Sequence, residues 1–356
     1  MIKFAIAIAM LSLGGVAVYQ QVFNSVRTVT LSDKSYEWTE SPISKSANDY
    51  FWNQFHKGDY DSIPVIIDKL TAAYLYNPND IRTVTHLGFA HMWALSERQN
   101  SEGGPRIIEH AIAAQKYFGE SYLMNPADTR VLSFLSSAKL ANGSISNDKG
   151  LMKDGYLNGK KAIREWEEFS AFTMAYTLSR LSADDAKFKE GVAYMHTLAE
   201  RHIKNFDPNN AETQQRISSM ELLTTSSASK DRVFYNSWIA PHNIEGFFMA
   251  YGDMLVKSGD WKEGISVYKL ARLSQQYHRW DYQDVLERRI THAKQNVKRF
   301  SAIAKPGEMI TVDDAIMVQS GISCRSCHQM STVDRAKTFA GYDETKLLDK
   351  KFYLLE

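Results

Sequence analysis

The chain has almost no cysteine, two in 356 residues. That excludes a fold stapled by a disulfide framework, which needs several bridges. Neither sign of charge is in excess, with 42 lysines and arginines against 41 aspartates and glutamates. This balance argues against a nucleic-acid binder, which needs a basic surplus to displace condensed counterions. Nor is the chain acidic and poor in aromatics, as a disordered tail is. Past the N-terminus no apolar run approaches the ~20 residues that carry a helix across a bilayer. Glycine-rich phosphate loops, HExxH and GxSxG are all missing. Glu165, Glu167 and Glu168 in REWEEF read as an exposed helix face, with nothing to mark an acid/base pair.

What is present begins with MIKFAIAIAMLSLGGVAVYQQ, one lysine followed by an apolar run over residues 4–19. That is the layout of a secretory signal. Gly15 and Ala17 offer small residues at a cleavage spacing. Residues 1–20 are therefore expected to be a signal peptide or an N-terminal membrane anchor. Either way the body is delivered outside the cytoplasm, as a periplasmic protein that is soluble after cleavage or anchored to the inner membrane. Residues 21–45 are polar, rich in serine and threonine, and read as a linker with one short extended piece at 26–31.

Residues 46–303 carry apolar residues at three- and four-residue steps, broken by short Asn/Asp-Pro turns, so an all-α body is expected. One turn repeats. YLYNPNDIR at 74–82 returns as YLMNPADTR at 122–130, and a looser copy, NFDPNN, stands at 205–210. A helix must end before each proline, and the aspartate that follows can cap the next helix. The unit is helix, tight turn, helix. The stretch YGDMLVKSGDWKEGISVYKLARL, with Gly252, Leu255, Gly259, Trp261, Gly264, Tyr268 and Ala271, resembles a tetratricopeptide repeat (TPR). A second copy keeps Leu87 and Gly88, is interrupted by the insertion SERQNSEGGPR at 96–106, and resumes with Ala114, Phe118 and Pro126. The resemblance implies stacked helical hairpins, in which small residues let helices approach and aromatics fill the gap. It also implies a surface that receives a partner protein.

AKPGEM at 304–309, with Pro306-Gly307, marks a boundary, and residues 304–356 read as a short separate module. It holds both cysteines, in Cys324-Arg325-Ser326-Cys327-His328. A bridge between cysteines three apart would close a tiny loop and stabilise little. A thioredoxin-like dithiol would need a βαβ context, and a zinc site a second ligand pair; neither is present. The pentapeptide resembles the attachment motif of c-type cytochromes. That resemblance implies one covalently bound haem c, with Cys324 and Cys327 forming thioethers and His328 the proximal iron ligand. It leaves the opposite side of the iron to be found. Met330 stands too close to His328, so Met317 leads the candidates, followed by Met309 and by His278, His292 and His242. Arg325, Arg335, Lys337, Lys346, Lys350 and Lys351 could ring a haem edge, but with acidic residues interspersed they read first as a solvated helix face. The expected function is one-electron transfer by a mono-haem cytochrome whose TPR-like body docks it to redox partner proteins. The alternative is a helical scaffold or assembly factor whose haem is structural or senses small ligands. Peroxidase-like activity would follow only from an open iron position.

Overall fold

The computed structural model describes residues 41–100, 106–219, 243–302 and 310–328. Among them every regular element is helical and no strand forms, so the chain is all-α as expected. Helix α1, Pro42–Lys57, begins inside the stretch read as a linker. The polar residues that suggested a linker there are helix-start chemistry. Ser41 accepts from the Ser44 N–H, and Pro42 takes the first helical position, where its missing N–H costs nothing. The helix stops at Gly58, whose φ of 68° suits glycine.

The repeated turn does the same work twice. Helix α2 (Ile63–Tyr76) ends before Asn77-Pro78, and Asp80 caps α3 (Ile81–Ser96) by accepting from the Arg82 and Thr83 amides. Helix α4 (Ile107–Met124) ends before Asn125-Pro126, and Asp128 caps α5 (Thr129–Ser146) through the Val131 amide. In both turns the asparagine side chain bonds the amide two residues on, at 3.1 Å for Asn77 and 3.3 Å for Asn125. The array continues with α6 (Lys149–Glu165), α7 (Glu167–Leu178), α8 (Ala186–His202) and the short α9 (Ala211–Ser218). After residue 242 come α10 (Ile244–Ser258), α11 (Trp261–Ala271) and α12 (Gln283–Ser301).

Helices adjacent in sequence pack on one another through α1–α8, and again through α10–α12. At two of these contacts a glycine faces an aromatic ring of the next helix. A Cβ at Gly88 on α3 would lie 2.7 Å from the Phe118 ring on α4, and one at Gly252 on α10 would lie 2.4 Å from the Tyr268 ring on α11. Glu168 departs from expectation. It is buried, with its carboxylate 2.9 Å from His202 Nε2. REWEEF spans the break between α6 and α7, so the helical phase restarts there and Glu168 turns inward.

The core has two main parts. One gathers Phe51, Phe55, Leu70, Leu87 and Trp93 from α1–α3, and the larger one is built on α7, α8 and α10–α12. Residues 310–328 do not stand apart from them. Ile316, Met317, Val318, Ile322 and Cys327 are members of the larger cluster, while Cys324 packs against the first. Residues 310–328 thus lie against the body as a strap. None of the described helices is long and apolar enough to cross a membrane. Residues 1–40, on which the signal or anchor expectation falls, lie outside the described residues.

Candidate functional site

The strap is held through its backbone by side chains from many helices. Buried Arg289 on α12 donates to the carbonyls of Val312 and Ala315, at 3.1 and 3.2 Å. The Met317 N–H donates to Asp253 Oδ2 on α10 at 2.6 Å. Asp253 in turn pairs with Arg289 at 3.1 Å and accepts the Tyr268 hydroxyl at 2.6 Å. Arg180 donates to the Val318 carbonyl at 2.9 Å, and the Tyr176 hydroxyl donates to the Ser323 carbonyl.

The next stretch is received by residues 96–100, at and just after the end of α3. Gln99 and Asn100 donate to the carbonyls of Gln319 and Gly321, at 2.9 and 2.7 Å. The Ser323 hydroxyl donates to the Ser96 carbonyl at 3.2 Å. Glu97 does most. It is fully buried, and its Oε1 accepts the amides of Cys324 and Arg325 at 2.7 and 2.8 Å. Its Oε2 accepts the Trp93 indole N–H at 3.0 Å and lies 3.2 Å from the Arg325 guanidinium. A carboxylate from a distant helix end thus caps the cysteine-bearing turn, which supplies its own counter-ion. Burial pushes the Glu97 carboxyl above the ordinary glutamate range, against the pull of Arg325 and the amide donors.

The turn itself is α13, Arg325–His328. The amides of Cys327 and His328 both donate to the Cys324 carbonyl, at 3.2 and 3.0 Å. Its far end rests on the start of α10. The Asn243 amide donates to the Cys327 carbonyl at 2.9 Å, and the Trp280 indole donates to the Ser326 carbonyl at 2.8 Å. A Cβ at Gly246 would lie 2.5 Å from Cys327 Sγ, so only glycine lets the sulfur sit there.

Both cysteines are free thiols. Burial pushes the Cys327 thiol up to about 12 and moves that of Cys324 upward as well. This is opposite to a redox dithiol, whose attacking sulfur is held low. The His328 ring lies 5.0 Å from that of Phe55, which meets Trp93 edge-on at 5.0 Å. Two neutral thiols on one helical turn, followed by an imidazole against an aromatic wall, are a donor set that fits a tetrapyrrole held by two thioethers and one nitrogen. Among the described residues no group of three or more His, Cys, Asp or Glu is placed to hold a bare metal ion.

The other sequence candidates fall elsewhere. Met317 is buried beside a cavity of about 10 Å³ that Met195, Met254 and Tyr176 also line. His278 is exposed in a 3-10 turn, and His292 bonds the Arg288 carbonyl of its own helix at 3.0 Å. Met309 and His242 lie outside the described residues. Arg325 is not part of a solvated face, because Glu97 draws it onto the body. The other five basic residues lie outside the described residues. Asn243 and Gly246 lie in APHNIEG at 240–246, which reads as a helix entry, and Asn243 is indeed the N-cap of α10, but their contact with the cysteine-bearing turn carried no signal in the sequence, and neither did the parts played by Glu97 and Trp280. Set against known protein families, curated proteins and solved structures, the chain matches none of them.

Proposed function

We propose that the chain is an exported mono-haem c-type cytochrome that transfers one electron at a time, with a TPR-like helical body that docks it to a redox partner. The observation that carries this reading is the seated turn. Cys324 and Cys327 are neutral thiols one helical turn apart, His328 follows directly, and Glu97 holds the turn by its backbone amides. The two sulfurs would hold haem c by thioether bonds and His328 would bind its iron; the group would supply reversible one-electron exchange.

The repeat supports a partner surface. Leu75 and Leu123 occupy equivalent places in the two YL-x-NP turns, and both are largely exposed. Exposed apolar residues at repeated places suit a protein partner. The N-terminal apolar run supports export to the periplasm, by cleavage of a signal or by retention as an inner-membrane anchor.

The test is the visible spectrum of the reduced protein with and without CO. Electron transfer predicts a low-spin spectrum indifferent to CO. Immediate CO binding would instead favour the scaffold whose haem senses small ligands, or peroxidase-like chemistry.

A further inference from the structure

We infer that His56, on the last turn of α1, is the second axial ligand of the iron. This rests on the haem reading above and goes beyond it by fixing the coordination as two imidazoles. The argument is one of place. The α13 turn lands on the end of α1. Phe55 lies 5.0 Å from the His328 ring, and the Gly58 carbonyl accepts from Arg325 at 3.3 Å. A Cβ at Gly58 would lie 2.4 Å from the Arg325 side chain, so the approach is close. His56 lies between these two residues in sequence, on the same helix end, and is 1% exposed. Its ring stacks on Trp52 at 5.1 Å and 12°, and lies 5.9 Å from Phe55. The stacking on Trp52 sets the plane of the imidazole.

The other described histidines are placed elsewhere. His91 and His110 face each other at 2.9 Å across α3 and α4. His196 meets the Tyr251 hydroxyl at 3.1 Å, and His202 lies 2.9 Å from Glu168. His86 is nearest in kind and meets the same Trp52 edge-on at 5.3 Å, but it is stacked on Phe51 at 4.9 Å and bonded to Asn48 at 2.7 Å. Met317 is turned into the larger core with Met195 and Met254.

The experiment uses full-length protein made in a host that matures c-type cytochromes: wild type, His56→Ala, His56→Met, His86→Ala and Met317→Leu. Intact mass comes first, with circular dichroism to confirm helix content. Wild type is expected to carry one haem, to be low-spin, and to lack the methionine-to-iron charge-transfer band. His56→Ala should keep the haem, lose the low-spin spectrum and bind CO. His56→Met should gain the methionine band and move to a higher potential, which a purely structural role would not produce. Met317→Leu and His86→Ala should leave the spectrum unchanged. A methionine band in wild type that Met317→Leu removes overturns the assignment while leaving the haem reading intact. So does loss of the low-spin spectrum in His86→Ala alone, or a His56→Met protein with the wild-type spectrum. A mass without haem overturns both.

Discussion

Asp253 and Glu97 are the same device at two ends of one strap, and they differ in where the counter-ion comes from. Each is a fully buried carboxylate that accepts from the strap's backbone, one N–H at Asp253 and two at Glu97, and burial pushes each upward. Asp253 is neutralised by Arg289, a residue of the helical body, at 3.1 Å. Its charge pair is complete whether or not the strap is in place. Glu97 is neutralised by Arg325, a residue of the cysteine-bearing turn, at 3.2 Å. Its pair exists only when the turn is seated. The first site is therefore part of the framework. The second couples the position of the turn to the electrostatics of the body, because lifting the turn strands a carboxylate.

The largest expected break in this comparison is Asp253→Ala. It leaves Arg289 buried with no partner carboxylate and should cost about 3–5 kcal/mol of global stability, read from the denaturation midpoint. Arg325→Met should act locally instead. With the guanidinium gone, the raised Glu97 carboxyl rises further. The contribution of the seated turn is then fully present below the unfolded glutamate value and lost as pH rises through the higher folded value. Amide protection factors at Cys324 and Arg325 should fall over that window while the denaturation midpoint follows wild type; a parallel fall in global stability would erase the distinction between the two sites. Glu97→Gln keeps an acceptor oxygen but removes the charge. Loss of charge-assisted bonds, about 1.5–3 kcal/mol, should lower protection of those two amides roughly ten- to hundredfold. The smallest effect is expected from Gly246→Ala, whose methyl would press on Cys327 Sγ and the Ser326 carbonyl at 2.5 and 2.9 Å. Overpacking of this kind costs about 1–3 kcal/mol and should loosen α13 while sparing the Asp253 end. Unchanged protection at Cys327 in that variant would show that the turn does not rest on α10 as described.

The parts of this architecture that were legible in the sequence are the local ones. Proline and aspartate act within a few residues of themselves, so the turns at Asn77 and Asn125 could be read directly, whereas the packing of Gly88 and Gly252 against aromatics was expected only from the resemblance to a known repeat. The cysteine-bearing turn was visible because Cys324, Cys327 and His328 fall within five consecutive residues. Its socket was not, because Glu97 and Cys324 are 227 residues apart. In sequence Glu97 is one more polar residue in an insertion; only the fold buries it. Arg325 and Glu168 were misread for the same reason, since whether a charge faces solvent depends on which distant element comes to cover it. Ser41 and Pro42 were misread on a smaller scale, as linker residues, because a cap and a linker share the same composition.

The central claim is that Cys324 and Cys327 are anchors for a cofactor. Its most direct test is the mass of the denatured full-length protein from a maturation-competent host, with a Cys324→Ala/Cys327→Ala chain alongside. The account predicts the polypeptide plus one haem for the native sequence and the bare polypeptide for the double variant. A native chain that weighs no more than its amino acids would contradict it.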